Sequence, residues 1–313
     1  MLAKVQSHWF IIALISVLTI GYWESSRLAW IGELAWLRTA IVSTVLFAMA
    51  LPIPLRQVGR SMLKPWPSLL AIGLNMVALP LLAWFLSGLL ESTMAGGLIV
   101  ASVVPCTLAS AAVWTRRAGG DDTIPILVTL VTSSTCFVVA PLWLSWLMAK
   151  TVKLDGWQAA SDLAWTVLLP MVLAQLSTLH PKVAKWSNDR KVQISLFCQI
   201  GILSMVGIGA IQIGMRQIGG ESGNPWFNFM AVAVVTLVLH VAILGCGWWL
   251  ARFLGLERSS QMAVALASSQ KTLMIGLKLA VDCGVSVVPM VVYHVGQLLI
   301  DAALVERWRK GKD

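Results

Sequence analysis

Long apolar runs, separated by short polar loops, follow one another along the whole chain. A helix needs about 20 mostly apolar residues to cross a bilayer, and runs of this kind occur ten times. The pattern therefore predicts an all-α polytopic membrane protein with ten transmembrane helices. The predicted spans are His8–Tyr22, Trp36–Ile53, Pro67–Leu86, Met94–Thr115, Thr123–Met148, Asp162–Thr178, Val192–Ile213, Trp226–Leu254, Ser260–Val281 and Ser286–Leu304.

The composition supports lipid as the solvent of this chain. Of its 313 residues 58% are hydrophobic and 12% charged, whereas a soluble domain carries about 25% charged residues. A net charge of +9 would by itself suit a nucleic-acid-binding protein. The charges, however, lie in short loops between apolar runs and form no basic face. We therefore expect the lipid bilayer as a partner and no nucleic acid.

The basic residues also predict an orientation. With the N-terminus inside, sixteen Lys and Arg residues fall on the inner side and five on the outer side, and Lys271 and Lys278 remain within the ninth span. Cytoplasmic loops are enriched in Lys and Arg. The expectation is a multi-pass protein of the cell membrane, inner or plasma, with both termini cytoplasmic.

The ten predicted spans divide into two sets of five at the loop near Thr151–Gly156. The first repeat is then residues 1–150 and the second 151–313, with matching span centres about 155 to 165 residues apart. Because five is odd, the second repeat enters the membrane upside down relative to the first. Inverted repeats are typical of secondary transporters, which bind substrate near the midplane between broken helices.

Two spans at matching positions in the repeats carry polar interruptions. The fourth contains "VVPCTLASAAVWTRRAGGDD", in which Pro105 removes a backbone donor and the hydroxyls of Thr107 and Ser110 are placed to satisfy freed backbone groups. The ninth contains "SSQKT", with Lys271 near its middle. A charged side chain at that depth costs about 2.5–3.5 kcal/mol on insertion scales, so Lys271 is a functional candidate.

Other classes of protein fit less well. The five cysteines show no CxxC spacing, so neither a metal site nor a disulfide framework is expected. HExxH, GxSxG and clustered intramembrane carboxylates are missing from the sequence, so we expect no enzyme, no catalytic residue and no cofactor. A retinal protein could use a buried lysine as a Schiff base, but ten spans and no aspartate within a turn of Lys271 argue against it.

Three stretches together resemble the bile acid:sodium symporter superfamily: "PCTLASAAVWTRRAGGDD", "SSQKTLMIGLKLA" and "VPMVVYHVGQLLIDAAL". The resemblance covers nearly the whole chain and is greatest to the SBF-like branch, which includes the seventh member of solute carrier family 10. It implies a panel domain of spans one, two, six and seven and a core domain of the other six spans. The discontinuous helices 4 and 9 would cross in that core.

Sodium-coupled relatives bind two cations beside this crossing, and the resemblance transfers their ligands only in part. Ala111 and Leu266 stand where relatives carry an asparagine and an acidic ligand, and Lys271 replaces another asparagine. These changes argue against sodium, because a hard cation needs several oxygens and usually a carboxylate. We expect the Lys271 ammonium to take the place of sodium among nearby hydroxyls. The candidate ion-binding or cation-mimicking residues are Asn75, Ser110, Thr132, Thr135, Ser268, Ser269, Gln270 and Lys271.

The substrate candidates surround the same crossing. A histidine at the position of His294 lines the substrate cavity in relatives, and Gln297 lies one turn further along. With the residues of the two breaks, the candidates for substrate binding are Thr107, Ser110, Lys271, His294 and Gln297. As an alternative, Lys271 is a structural lysine bonded to carbonyls freed at the break. We expect Lys278 to snorkel to the outer interface and His240 to pack structurally.

The leading hypothesis is a secondary transporter of a small organic anion that works by alternating access. A proton, an exchanged anion or simple facilitation stays open in place of sodium coupling. The alternative is a regulatory membrane protein of the same fold, linked by resemblance to calcium handling, that performs no net transport.

Overall fold

A computed structural model of the chain describes residues 2–53, 65–107, 110–148, 155–218 and 225–310. Within these ranges the secondary structure is helical and includes no strand. The predicted boundary between the two repeats, near 151–156, lies mostly outside the described residues. The helices are α1 Leu2–Trp23, α2 Ser25–Glu33, α3 Ala35–Ala50, α4 Trp66–Ser87, α5 Ser92–Val103, α6 Ser110–Ala118, α7 Thr123–Leu147, α8 Gly156–Ser177, α9 Pro181–Asp189, α10 Lys191–Ile218, α11 Pro225–Phe253, α12 Arg258–Ser269, α13 Leu273–Asp282 and α14 Val288–Lys310.

Six of the described helices are long and apolar enough to cross a membrane, namely α4, α7, α8, α10, α11 and α14. The helices α2 and α3 pass the same test only as a pair, because the chain bends by 73° between them. The predicted fourth and ninth spans are each divided into two short helices, α5 with α6 and α12 with α13. The chain is therefore an all-helical, multi-pass membrane protein.

Two prolines each remove a backbone hydrogen bond from a long helix, and in both cases a side chain of a neighbouring helix supplies a replacement donor. Pro80 and Pro170 follow single π-helical turns at Leu74–Ala78 and Ala164–Leu168. Since proline has no N–H, the carbonyl four residues earlier loses its helical donor. The Met76 carbonyl instead accepts from the Trp143 indole at 2.8 Å, and the Thr166 carbonyl accepts from the Ser43 hydroxyl at 3.1 Å. These bonds attach α4 to α7 and α8 to α3.

The helices pack as two groups. In the first group, α10 packs against α1, α2 and α3, while α8 packs against α3 and α9 against α10. In the second group, α12 packs against α4, α6, α7 and α11, and α14 packs against α5, α6 and α11. We call these the first group, α1–α3 with α8–α10, and the second group, α4–α7 with α11–α14.

The second group encloses the two broken helices. Every residue of α13 from Leu273 to Val281 is buried, and so is α12 from Met262 to Ser269. A buried position in a lipid-embedded bundle faces other helices and not lipid, so polar residues here need protein partners. The breaks between α5 and α6 and between α12 and α13 are therefore the places where hydrogen bonding determines the structure.

Candidate functional site

The two helix breaks lie against each other. α5 ends at Val103, and Val104 has extended backbone angles; α12 ends at Ser269, and Gln270 and Thr272 are extended as well. A backbone hydrogen bond of 3.0 Å joins the breaks, with the Thr272 N–H donating to the Pro105 carbonyl. The last carbonyls of α5 and α12 have no helical donors of their own, so the junction presents a set of acceptors.

Lys271 supplies donors to this junction. Its Nζ lies 2.8 Å from the Asn75 carbonyl, 2.9 Å from the Asn75 side-chain Oδ1 and 2.8 Å from the Val104 carbonyl. The residue is fully buried. Three acceptors match the three N–H bonds of an ammonium group, whereas a neutral amine would turn a lone pair toward one of them.

The free energies of these hydrogen bonds explain why a buried lysine is stable here. Hydrogen bonds to a charged group contribute about 1.5–3 kcal/mol each, and Lys271 makes three. Their sum exceeds the cost of about 2.5–3.5 kcal/mol for a lysine at the centre of a membrane helix. The same bonds satisfy carbonyls that would otherwise be unpaired away from water.

Asn75 holds the other side of the junction. It is fully buried in the π-helical turn of α4. Its amide nitrogen is 3.1 Å from each of the carbonyls of Ala267, Ser268 and Gln270. Because its Oδ1 accepts from Lys271 at the same time, one asparagine connects α4 to the end of α12 and to the lysine. Asn75 was a candidate cation ligand, but its side-chain amide is already hydrogen-bonded to protein groups.

Gln270 links the two breaks through its side chain. Its Oε1 accepts from the hydroxyls of Thr107 at 2.9 Å and Ser110 at 2.8 Å, and its Nε2 donates to the carboxylate of Asp301. The Ser110 hydroxyl also lies 2.8 Å from the Thr107 hydroxyl. The structure thus brings together three of the candidates from the sequence, and adds an acid from α14.

Asp301 is the functional-site residue that the sequence analysis missed. It is fully buried, and its second oxygen lies 3.1 Å from His240 Nε2. The His240 Nδ1 lies 3.4 Å from the Ser269 carbonyl, which also accepts from the Tyr293 hydroxyl at 2.6 Å. An acid inside a predicted span is itself a signal of function. Its partners Gln270 and His240 lie 31 and 61 residues away, so no local motif marks the site.

Gln297 holds the backbone of Lys271. The Gln297 Oε1 accepts from the Lys271 N–H at 2.9 Å, and the Gln297 Nε2 donates to the Lys271 carbonyl at 3.0 Å. His294 lies beside this pair, with its Nδ1 2.9 Å from Gln297 Nε2 and 3.4 Å from the Lys271 carbonyl. Both substrate candidates of span ten therefore contact the residue at the break.

The threonines of α7 differ in what they contact. Thr132 accepts from the Cys106 N–H at 3.1 Å, and Thr129 donates to the Thr107 carbonyl at 2.7 Å, so both support the break between α5 and α6. Thr135 donates to the carbonyl of Val131 in its own helix at 2.8 Å. Hydroxyls in membrane helices commonly bond in that way.

Two expectations from the sequence need correction. The Nζ of Lys271 contacts carbonyls and an amide, as in the structural alternative, whereas the hydroxyls of Ser268 and Ser269 donate to the Ala265 carbonyl in their own helix. Lys278 does not snorkel: it is 3% exposed and pairs with carboxylates. His240 is buried and packs against Tyr293, as expected, and it also has Asp301 as a partner.

Comparison with known proteins gives one family and several relatives. A model of the family described as "SBF-like CPA transporter family (DUF4137)" matches residues 8–310. The chain is 23% identical to YfeH of Escherichia coli (strain K12) over 236 residues, which cover 74% of this chain and 70% of YfeH.

Two eukaryotic relatives are similar as well. "Sodium/bile acid cotransporter 7-B" of Xenopus laevis is 22% identical over 331 aligned positions, covering 97% of this chain and 92% of that protein. "Probable sodium/metabolite cotransporter BASS4, chloroplastic" of Arabidopsis thaliana is 27% identical over 234 residues, covering 69% of this chain and 53% of the plant protein.

Replacing Asn75 by alanine should destabilise the folded protein strongly. The change removes one acceptor from the Lys271 ammonium and the donor shared by three carbonyls, so we expect a loss of about 3 kcal/mol in the free energy of unfolding. The measurement is the thermal unfolding midpoint of purified protein in detergent.

The matched control is Asn188→Ala, because Asn188 is exposed on α9 and surface changes usually stay within about 0.5 kcal/mol. Equal unfolding midpoints for the two variants would contradict the role assigned to Asn75.

Proposed function

This chain belongs to the SBF-like CPA transporter family, and we propose that it is a secondary transporter of a small organic anion that works by alternating access. The observation that carries the proposal is Lys271, fully buried where two helix breaks meet, with its Nζ at hydrogen-bonding distance from three acceptors. A buried ionisable residue of a membrane protein is a functional candidate, and secondary transporters bind substrate at such breaks.

The helix ends around the lysine add to the same electrostatic effect. α6 begins at Ser110 and α13 begins at Leu273, and each is the second helix of an interrupted span. A helix N-terminus carries a partial positive charge, which favours anionic groups. Together with the ammonium, these two ends make the junction attractive to a carboxylate or sulfonate. The relatives named as sodium/bile acid or sodium/metabolite cotransporters support a small solute as the substrate.

We also propose an assignment of the helices to a panel domain and a core domain. The first group contains the helices of spans one, two, six and seven and would be the panel domain, and the second group would be the core domain. The discontinuous helices α5–α6 and α12–α13 would then be the crossed fourth and ninth of ten spans, within inverted repeats 1–150 and 151–313. Most of the helix packing lies within each group, which supports this assignment.

The charge of Lys271 can be tested directly. The probe is the organic anion that most raises the unfolding midpoint of the purified protein, in a panel that begins with bile acids, because a ligand that binds the native state raises apparent stability. Uptake of this anion into proteoliposomes should fall by about tenfold or more in Lys271→Gln, which keeps polarity and loses the charge.

The control is Lys185→Gln, an exposed lysine of α9, compared at equal protein insertion. Near-wild-type uptake by Lys271→Gln would leave the lysine with the structural role alone. Wild-type protein that moves no anion at all would favour the regulatory alternative.

Sodium should give no specific stabilisation. Leu266 and Ala111 stand in place of two cation ligands, and the oxygens and amides near Lys271 already bond to one another. We therefore expect equal unfolding midpoints in sodium, potassium and choline chloride up to about 100 mM, since a bound ion would raise the midpoint. A rise with sodium alone would overturn this expectation.

We propose that both termini and α9 face the cytoplasm of the cell in its inner or plasma membrane, as the distribution of basic residues indicates. In a cysteine-free background, Lys185→Cys should resist a membrane-impermeant maleimide applied to intact cells. Trp157→Cys, at the opposite end of the span formed by α8, should react, because Trp157 is 83% exposed. The reverse pattern would invert the proposed topology.

A further inference from the structure

A cluster of four charges lies at the end of α13 that is remote from the helix breaks. The Lys278 Nζ donates to Asp162 and, at 2.6 Å, to Asp282 one turn along the same helix. An Arg38 guanidinium nitrogen lies 3.8 Å from the other oxygen of Asp282. The cluster has two positive and two negative charges and is neutral as a whole. The transport chemistry at Lys271 makes no use of it.

The cluster connects the two groups of helices. Lys278 and Asp282 belong to α13 in the second group, whereas Asp162 belongs to α8 and Arg38 to α3 in the first group. The pair Lys278–Asp282 moves with α13 as a unit. The contacts of Lys278 with Asp162 and of Asp282 with Arg38 must break if the groups separate.

The main contacts between the groups lie on the same side of the molecule. α13 packs against α3 and α10, and α8 packs against α7, whose C-terminus precedes α8 in the chain. Val287, just after α13, packs on α10 so closely that a Cβ added to Gly209 would lie 2.6 Å from a Val287 methyl. We call this the Lys278 side; among the described residues the two groups are in contact here.

The exposure of the four residues suits a contact that opens reversibly. The side chains of Lys278 and Arg38 are 4% and 16% exposed, whereas those of Asp162 and Asp282 are 47% and 33% exposed. Both acids already reach the edge of the interface, so they regain water as soon as the groups part. Lys278 keeps Asp282 as a partner in either state, so opening does not leave it as an isolated buried charge, which would be very costly.

We propose that Lys278, Asp162, Asp282 and Arg38 form the gate that closes the Lys278 side of the transporter. The proposal rests on the alternating-access function proposed above and assigns residues to one of its two closures. Removing the contact of Lys278 with Asp162 shifts the protein toward a state open on this side. A minor state of such an equilibrium is populated at about 0.1–10%, so a tenfold change is measurable.

The reporter is Val287→Cys in a cysteine-free background. Val287 is 1% exposed because it packs against α10 across the group boundary, and it lies outside the charge cluster. Purified protein in nanodiscs is exposed to a water-soluble maleimide that reaches both faces, and the labelling rate is measured. Labelling after denaturation gives the total thiol.

The test variants are Lys278→Met and Asp162→Asn, each with the reporter. Asp162→Asn changes a half-exposed side chain and keeps the Lys278–Asp282 pair, so it remains informative where the buried Lys278→Met fails to fold. Both variants should raise the labelling rate by about tenfold. The matched control is Arg116→Gln, which breaks the Arg116–Asp122 ion pair inside the second group and should leave the rate unchanged.

Labelling at the wild-type rate in folded Asp162→Asn protein overturns the gate, and so does an equal increase with Arg116→Gln. The readout needs no substrate, so it is separate from the uptake experiments. Anion uptake with unchanged labelling would contradict the proposed gate and support the proposed function. Altered labelling in a protein that transports no anion would support the contact as a closure and contradict the proposed function.

Discussion

The structure depends on one constraint: helix-end carbonyls buried in a membrane need donors, and water supplies none there. Two helices stop inside the second group, at Val103 and Ser269, and leave such carbonyls facing each other. Lys271 and Asn75 are the donors that meet this need, with Asn75 in contact with both the lysine and the end of α12. The ammonium that would attract an anion in the proposed function is thus the same group that stabilises the break.

Much of the fold could be predicted from the sequence, because hydrophobic periodicity is a local signal. The predicted spans Pro67–Leu86 and Trp226–Leu254 agree within one residue with α4 and α11. The interruption around Pro105 was predicted from a proline, and that at Gln270–Thr272 from polarity alone. Beyond the six long helices, the ten-span count needs α1, the bent pair α2–α3 and the two short helices of each interrupted span. Length and hydropathy identify none of these helices singly as crossing the membrane.

The site was harder to predict, because its partners come from distant segments. Gln297 contacts the Lys271 backbone, and Thr107 and Ser110 contact Gln270. Bonding of Lys271 to carbonyls freed at the break was the structural alternative, but the sequence did not predict which carbonyls. Val104 and Asn75 contribute backbone carbonyls, and no side-chain pattern reveals which carbonyl a broken helix leaves free. Asp301 and the contact of Lys278 with Asp162 were missed for a related reason, since each pair joins helices far apart in sequence.

The attachment of Lys271 to the chain has an energetic consequence. A free sodium ion that enters a transporter on one side and leaves on the other releases the energy of its concentration gradient. An ammonium group fixed by a covalent side chain, with its backbone held by Gln297, never crosses the membrane. Under the proposed function, it would neutralise carbonyl dipoles without dissipating a sodium gradient. The driving force for any uphill movement of solute would then come from a source other than a sodium ion bound at this position.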